Sequence, residues 1–355
     1  MSRRERNRDA VGITGIGAHV PPRVRSNAEL SAILGVDESW IMRLTGIRER
    51  RIVADDLCAS GLALPAAREA LHHAGVEAGE LGLIVHASST PDEIVVASAC
   101  RLQAAIGAVP AAALDVSGAC TGFVNALRVA EGLMATDPKI RHALVVGSEV
   151  LSKFIDVNDR ATAVLFGDGA GAVVLSRVPR PYGLQYTCLG ADGGGADLVG
   201  IAVGGGRVPA TLETLSKGQR FLHMRGKHIR SFILDRMPLL LAQVLSETGC
   251  SMSEIDLVIP HQANMRLIKE ALAETGVPID RVVLTGERYG NTGAASIPIS
   301  LHAAVQQGRL RDGMLVLFVA LGAGLTWGAT LVRWSGPSAP LRPDEPRGGK
   351  AGERP

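Results

Sequence analysis

The strongest constraint on the fold of this chain is that its sequence runs twice through the same order of segments. A helix-like segment ending at Gly75 leads into the apolar run Leu83-Ile-Val-His-Ala, and one ending at Gly249 leads with the same spacing into Leu257-Val-Ile-Pro-His. Two further apolar runs recur later in the chain in the same order. Ala143-Leu-Val-Val-Gly recurs as Leu315-Val-Leu-Phe-Val, and Gly171-Ala-Val-Val-Leu recurs as Gly328-Ala-Thr-Leu-Val. Because short apolar strands alternate with amphipathic helices in both stretches, the pattern predicts an α/β duplication.

The predicted boundaries divide the chain into two halves between two tails. The first half covers residues 11–178 and the second covers residues 179–335. Residues 1–10 are charged and carry no periodicity, and residues 336–355 hold several prolines, glycines and charges, so we expect both tails to be disordered. Duplicated halves usually place an active site at their junction, where loops from both halves meet.

Composition limits the core and the partners. Hydrophobic residues make up 46% of the 355 residues but aromatic residues only 3%, so the core must be built from Ala, Val, Leu and Ile. The formal net charge of +2 gives no reason to expect nucleic-acid binding. No apolar run reaches the roughly 18–20 residues that span a bilayer, and the charged start lacks the apolar stretch of a secretory signal. We therefore expect no membrane association and a cytoplasmic location.

Five cysteines are dispersed along the chain, with no C-x-x-C pair among them. An odd and scattered set argues against a disulfide framework and against a zinc site, so we expect no bound metal. Cys120 alone has a setting that suggests chemistry. It follows an apolar run ending in Gly118-Ala119 and precedes a segment of helical periodicity that starts at Thr121. At a helix N-terminus the peptide dipoles and free N–H groups favour a thiolate, although a small buried cysteine is the alternative.

Two further residues stand at positions typical of catalytic groups. His261 follows the apolar run Asp256-Leu-Val-Ile-Pro, at the carboxyl end of a predicted strand, and Asn291 lies at the tip of the glycine-rich turn Tyr289-Gly-Asn-Thr-Gly. Taken singly, His261 could be a core imidazole and Asn291 a plain turn residue. A further small-residue turn, Gly322-Ala-Gly, has free N–H groups suited to an oxyanion.

Together these residues suit thioester chemistry. A cysteine at a helix start attacks an acyl thioester, and the histidine and asparagine donate hydrogen bonds to the carbonyl of a second thioester as negative charge builds there.

The chain closely resembles the β-ketoacyl-acyl carrier protein synthase III family, the initiating condensing enzymes of fatty acid and some polyketide pathways. The resemblance covers residues 11–334 and rests on the order and spacing of several motifs, which are Asp37-Glu-Ser-Trp-Ile, Thr45-Gly-Ile-Arg-Glu-Arg, Gly118-Ala-Cys-Thr-Gly-Phe, Phe166-Gly-Asp-Gly-Ala-Gly-Ala, Pro260-His-Gln-Ala-Asn, Gly290-Asn-Thr-Gly-Ala-Ala-Ser and Gly322-Ala-Gly-Leu-Thr-Trp-Gly.

The resemblance implies a thiolase-like fold of five layers, α-β-α-β-α, and a homodimer. It implies Cys120, His261 and Asn291 as the catalytic residues, with an oxyanion hole formed by the N–H groups of Cys120 and Ala323. It also implies a tunnel for the phosphopantetheine arm of coenzyme A or of an acyl carrier protein. These thioesters are then substrates, and no separate cofactor is expected.

Other matches concern the ends of that tunnel. Trp40 and Arg160 match the residues that hold the adenine end of coenzyme A, and Asn264 falls by the tunnel. Arg266 matches a basic residue that docks the acidic carrier protein, where a cation meets an acidic helix.

Four positions depart from the housekeeping pattern of the family. Leu44, beside Arg43, stands where an Arg often aids coenzyme A binding, and Arg230 where the pattern has an apolar tunnel residue. Val95 stands where a Phe of the dimer partner often closes the acyl pocket, and Leu321 where a Phe favours malonyl decarboxylation. These differences predict a longer or branched primer and a polyketide enzyme. They leave open whether coenzyme A or a carrier protein is the acyl donor.

The predicted reaction is a Claisen condensation between an acyl group on Cys120 and a malonyl- or β-ketoacyl-carrier-protein thioester. Acyl transfer to an oxygen or nitrogen acceptor without decarboxylation is the alternative, and Leu321 motivates it. A thiolase would need a second cysteine near the C-terminal glycine turn, and residues 251–355 contain none. A non-catalytic chain-length subunit is disfavoured because Cys120 is present.

Overall fold

The structure is a computed structural model and describes residues 9–338. In the first half the strands are β1 (Asp9–His19), β2 (Val24–Ser26), β3 (Glu49–Arg51), β4 (Leu81–Ala87), β5 (Ala112–Val116), β6 (His142–Glu149) and β7 (Gly169–Pro179). The helices of this half are α1 (Asn27–Leu34), α2 (Glu38–Thr45), α3 (Ala59–Ala74), α4 (Ser98–Ile106) and α5 (Gly122–Thr136).

In the second half the strands are β8 (Gly183–Ala191), β9 (Val199–Ile201), β10 (Leu222–Met224), β11 (Leu257–Pro260), β12 (Leu315–Gly322) and β13 (Thr326–Arg333). The helices of this half are α6 (Leu212–Ser216), α7 (Gly226–Thr248), α8 (Met265–Ala273), α9 (Gly286–Tyr289) and α10 (Ser296–Gln306). Among residues 9–338, no helix is both long enough and apolar enough to cross a membrane.

The two large sheets repeat one topology. The first sheet has the order β1-β7-β6-β4-β5 and the second has the order β8-β13-β12-β11. In both, the first two pairings are antiparallel and the next is parallel. A parallel bridge from Val258 to Val282 extends the second sheet where β5 completes the first. The strands that echo each other in sequence therefore occupy equivalent places, which confirms the predicted α/β fold of two duplicated halves.

Helices cover both sheets on both faces. Helices α3 and α4 pack on the outer face of the first sheet, α5 and α10 lie between the two sheets, and α7 and α8 cover the outer face of the second. This is the predicted order of five layers, α-β-α-β-α. Because both faces of each sheet are buried, the central strands are unbroken apolar runs whose side chains alternate between two cores. In β12, for example, Phe318 enters the central core and Leu317 the outer one.

The predicted tails fall largely outside the described residues, which exclude 1–8 and 339–355. At the start, β1 begins at Asp9, so residues 9 and 10 pair in the first sheet and do not belong to a tail. At the end, the Trp334 indole N–H donates to the carbonyl of Pro337 at 3.2 Å, which fixes the chain just beyond the predicted boundary.

Candidate active site

Cys120 lies in a tight turn between β5 and α5. The turn is a short 3-10 helix, Ala119–Thr121, that runs directly into α5. Ala119 has a φ of 46°, in the left-handed region that side chains other than glycine rarely adopt, so the backbone turns sharply just before the cysteine. A Cβ added at Gly322 would come within 2.6 Å of the Cys120 Cβ. Only glycine at this position lets the end of β12 approach the nucleophile so closely.

His261 follows β11 and is held in a fixed orientation. Its backbone N–H donates to the Val319 carbonyl at 2.7 Å, and its Nδ1 lies 2.7 Å from the Ser296 hydroxyl. The residue is buried, and its Nε2 has no hydrogen-bond partner among the described residues. Burial lowers the pKa of His261 to about 4, although the nearby Gly293 carbonyl acts in the opposite direction. The imidazole is therefore neutral at physiological pH, with Nε2 available to a substrate.

Asn291 is buried and held by backbone contacts with the first half. Its N–H donates to the Leu165 carbonyl at 2.8 Å, and its carbonyl accepts from the Gly167 N–H at 3.0 Å. Its side-chain Oδ1 accepts from the Gly293 N–H at 2.9 Å. This bond fixes the orientation of the amide, because the oxygen is the atom that can accept from an N–H. The Nδ2 group is left as the donor that a substrate can use.

The surroundings of the Cys120 sulfur keep it protonated at rest. Burial raises the pKa of the Cys120 thiol to about 12, and the nearby Glu149 carboxyl adds to the rise. The backbone N–H groups of Ala323 and Cys120 lower this pKa, because they lie close enough to stabilise a negative sulfur. Burial therefore opposes the thiolate that the helix start favours. These two N–H groups are those predicted to form the oxyanion hole.

A single cavity of about 740 Å³ brings the predicted catalytic residues together. Cys120, His261 and Asn291 all line it. Its wall also includes several other residues that the sequence singled out, which are Arg43, Leu44, Arg230, Asn264, Arg266, Leu321 and Ala323. The Asn264 side chain also caps a helix, because its Oδ1 accepts from the N–H groups of Arg266 and Leu267 at the start of α8.

Three predicted binding residues do not line this cavity. Arg160 donates from Nε and Nη2 to the Leu34 carbonyl at 3.2 and 2.8 Å. Trp40 packs against the apolar core outside the second sheet. Val95 is 92% exposed and lies in the segment between β4 and α4. The structure of this chain therefore separates the two predicted adenine-binding residues and the predicted acyl-pocket residue from the cavity that holds the nucleophile.

Two buried polar residues near the site were missed by the sequence analysis. Glu149 ends β6 and accepts hydrogen bonds from Ser89, Thr90 and Ala294. Burial raises the pKa of Glu149, although these hydrogen bonds lower it. An acidic residue at the end of an apolar strand is the same signal that identified His261. Ser296, the hydroxyl partner of His261, lies inside a matched motif but was given no role.

A second acid–histidine–hydroxyl set lies inside the first sheet, away from the cavity lining. His86 Nε2 is 2.6 Å from Ser148 Oγ, and its Nδ1 is 3.5 Å from Asp115. The Ser148 hydroxyl donates its proton to the Ala59 carbonyl at 2.9 Å and therefore accepts from His86. This direction is opposite to that of an activated serine nucleophile. His86 and Ser148 are also fully buried, so no substrate reaches them.

Comparisons with known proteins agree with the fold. The family model of 3-oxoacyl-[acyl-carrier-protein] synthase III matches residues 114–193, and the model of its C-terminal part matches residues 245–334. The β-ketoacyl-[acyl-carrier-protein] synthase III of Symbiobacterium thermophilum is 44% identical over 324 residues, which cover 91% of this chain and 98% of that protein.

Solved structures extend the comparison. The synthase III structure from Thermus thermophilus has a TM-score of 0.84 and 40% identity, covering 91% of this chain and 99% of that one. The priming β-ketosynthase of the R1128 polyketide biosynthetic pathway has a TM-score of 0.84 and 31% identity, covering 92% and 96%. On the identity and coverage of these relatives, the chain belongs to the β-ketoacyl-[acyl-carrier-protein] synthase III family of condensing enzymes.

Proposed function

We propose that the enzyme takes an acyl group from a carrier-protein or coenzyme A thioester onto Cys120 and then joins it to a malonyl- or β-ketoacyl-carrier-protein thioester. The observation that carries this proposal is the shared cavity. It places the Cys120 thiol beside two backbone N–H groups and opens onto the unpartnered Nε2 of His261 and the Nδ2 of Asn291.

The first step is transfer of the acyl group to the cysteine. The Cys120 sulfur attacks the carbonyl carbon of the donor thioester, and the N–H groups of Cys120 and Ala323 stabilise the oxyanion that forms. The bond to the leaving sulfur then breaks. The proton lost by Cys120 ends on that leaving thiol, so no free thiolate accumulates. This suits a thiol whose pKa is raised to about 12.

The second step is carbon–carbon bond formation. Donors on His261 and Asn291 bind the thioester carbonyl of the extender. For a malonyl extender, its carboxylate leaves as carbon dioxide, and the two electrons of the broken bond form an enolate held by these donors. The enolate carbon attacks the acyl group on Cys120, and the cysteine leaves and takes up a proton. His261 can donate from Nε2 when the Ser296 hydroxyl donates to Nδ1, since the ring proton then resides on Nε2.

A non-decarboxylating acyltransferase is the second candidate. Leu321 is buried and lines the cavity, at the position where the family resemblance implies an aromatic residue that favours decarboxylation. In this case the acyl group on Cys120 is attacked by an alcohol or amine, and no enolate forms.

The test supplies an acyl donor and malonyl-carrier protein with a labelled carboxylate. Condensation predicts labelled carbon dioxide together with a β-ketoacyl product, and loss of that product in Cys120→Ala and Asn291→Ala. Product formation retained in both variants would overturn the proposal. An acylated alcohol or amine with no carbon dioxide release would favour the second candidate.

The segment around Val95 supports a homodimer. Ile94, Val95 and Val96 are consecutive and apolar, with 82%, 92% and 42% of their surface exposed. A patch of this kind is typical of a surface that a second protein covers. We place it in a homodimer interface with Val95 directed to the partner's acyl pocket, where its small side chain leaves room for a longer or branched primer of a polyketide pathway. Light scattering of the purified protein tests the dimer, and the adduct mass on Cys120 after incubation with an acyl thioester panel tests the primer.

Two further expectations follow from the chemistry. All five cysteines are unpaired, as is usual for proteins of a reducing compartment, which supports a cytoplasmic location. Both steps use only groups of this chain and the two thioesters. We therefore expect turnover without an added cofactor, at a rate that a chelator leaves unchanged.

A further inference from the structure

An ion pair between α7 and α8 lies where the cavity opens to solvent. The Arg230 guanidinium on α7 donates from Nη2 to the Glu270 carboxylate on α8, and both residues line the cavity. The two side chains are 55% and 50% exposed, so the pair lies at the opening, which we call the mouth. Glu270 also lines a second, shallow surface hollow together with Arg266 and Lys269. The mouth thus joins the cavity to the outer surface of α8.

The charge around the mouth is strongly positive. Arg43, Lys227, Arg230 and Arg266 all line the cavity, and Glu270 is the only acid among its described lining residues. Lys227 precedes Arg230 by one helical turn on α7, so both cations lie on the same face. Neither Lys227 nor Arg266 forms an ion pair with any residue of 9–338. The cavity lining therefore carries four cations and one carboxylate, and an anion that enters it meets more positive than negative charge.

The pair itself is easy to exchange. Half-exposed ion pairs are screened by water and contribute little net stability, so Glu270 holds Arg230 weakly. A phosphate offers the planar guanidinium several oxygens and forms shorter, charge-assisted hydrogen bonds in a bidentate arrangement. When a phosphate group replaces the Glu270 carboxylate at Arg230, a weak ion pair is lost and stronger hydrogen bonds are gained.

We propose that Arg230 binds the phosphate of the substrate's phosphopantetheine arm. Glu270 competes with this phosphate for the guanidinium, and Arg230 leaves Glu270 when the arm enters. This inference rests on the proposed function, because it assigns a binding residue for the thioester donor. The same phosphate is present in an acyl carrier protein and in coenzyme A. Arg160, predicted to hold the adenine end of coenzyme A, is already bound to the Leu34 carbonyl and lies outside the cavity lining. Phosphate recognition at Arg230 requires no adenine contact.

The test compares two small donors that differ by the phosphate alone, an acyl-phosphopantetheine and the matching acyl-pantetheine. The rate of Cys120 acylation is measured by intact-protein mass spectrometry in the wild type and in Arg230→Leu, Glu270→Gln and Arg311→Leu. Arg311 is exposed and outside the cavity lining, so its variant is the matched control for loss of a surface arginine.

For Arg230→Leu we expect the KM for acyl-phosphopantetheine to rise roughly 10-fold, the usual effect of losing a hydrogen bond to a charged group. The KM for acyl-pantetheine should stay at the wild-type value. Glu270→Gln should lower the KM for acyl-phosphopantetheine, because it removes the competitor, and Arg311→Leu should change neither. An equal rise for both donors in Arg230→Leu, or no rise at all, would overturn the proposal. An unchanged KM in Glu270→Gln would overturn the exchange with Glu270.

Two further arms, an acyl carrier protein and an acyl-coenzyme A, identify the source of the phosphate. A donor whose KM rises in Arg230→Leu uses the site. A KM that rises for neither donor counts against the proposal. Acylation by acyl-pantetheine at the wild-type rate shows that each variant is folded. If the wild type itself is acylated by none of the donors, it is the proposed function that fails, not this assignment.

Discussion

Strands β4 and β11 occupy equivalent places in the two sheets, but the polar groups that follow them are used in opposite ways. After β4, groups of Ser89 and Thr90 donate hydrogen bonds to the buried Glu149, so the polar atoms there satisfy one another. After β11, His261 has an Nε2 with no partner among the described residues. In the first half these polar groups thus bond to one another beside the nucleophile. The second half instead leaves the side-chain donors of His261 and Asn291 free for the substrate, and we call these the open donors. This difference predicts that condensation depends on the free side-chain donors of the second half and that acylation does not.

The largest expected effect separates the two steps. Asn291→Ala and His261→Ala should each reduce carbon–carbon bond formation on the order of 10²–10³-fold, the usual cost of losing one donor to a developing oxyanion. Acylation of Cys120 should remain within about 10-fold of the wild-type rate, because its oxyanion donors are backbone N–H groups. Rapid-quench assays with a preloaded acyl enzyme measure the second step alone. Equal losses in both steps would mean that these two donors serve acylation as well as condensation.

The buried neutral state of His261 makes stability depend on pH. Its pKa is lowered from 6.5 to about 4 on folding, so between these values the unfolded state binds more protons than the folded state. The contribution is complete above pH 6.5 and is lost as the pH falls toward 4. The shift corresponds to roughly 3 kcal/mol of unfolding free energy.

Urea unfolding of the wild type and His261→Asn across this range measures the effect. The free energy of unfolding of the variant should fall less between pH 6.5 and 4 than that of the wild type, whereas His223→Asn, at an exposed histidine, should match the wild type. Identical slopes in all three proteins would contradict a buried neutral imidazole.

Ser296 tests how the open donor of the second half is oriented. Its hydroxyl lies 2.7 Å from His261 Nδ1, and donation from this hydroxyl to Nδ1 leaves the ring proton on Nε2. Ser296→Ala should slow condensation by about 10-fold and leave Cys120 acylation unchanged, while Ser296→Thr should restore most of the rate. Nitrogen NMR of labelled histidine should show a shift toward the other tautomer in Ser296→Ala. An unchanged tautomer would show that another group orients the ring.

The smallest expected effect concerns Leu321, beside the open donors. Replacing it with Phe adds an aromatic face to a buried position at the cavity wall. We expect Leu321→Phe to speed carbon dioxide release from malonyl-carrier protein by a few-fold, since the larger ring excludes more water from the charged carboxylate and so favours its loss. Leu321→Met, similar in volume to leucine, is the control. A slower release in the Phe variant would show that overpacking dominates instead.

Much of this arrangement could be predicted from the sequence because it rests on local patterns. The repeated order of apolar runs predicted the duplicated sheets, and strand-end or turn positions identified Cys120, His261 and Asn291. The protonation state of Cys120 could not be predicted in this way. A helix start alone favours a thiolate, but burial and Glu149 together raise the pKa of the thiol to about 12.

The roles of residues that depend on long-range contacts also could not be predicted from the sequence. Glu149 accepts from the N–H of Ala294 in the other half, and Ser296 contacts His261, which lies 35 residues earlier in the second half. Neither contact leaves a local pattern, although the position of Glu149 at a strand end does. The same limit explains Arg160, whose match to a family position does not reveal that its guanidinium is bound to the Leu34 carbonyl.

The most direct test of the central claim follows the acyl group on Cys120 itself. Wild-type enzyme and Asn291→Ala are loaded with an acyl thioester, freed of excess donor and mixed with malonyl-carrier protein, and the mass of the intact protein is followed over time. The account predicts that both proteins gain the acyl adduct, that the wild type loses it as product forms, and that Asn291→Ala retains it. Discharge of the adduct at the wild-type rate in Asn291→Ala, or failure of that variant to become acylated, would contradict a role of Asn291 in condensation alone.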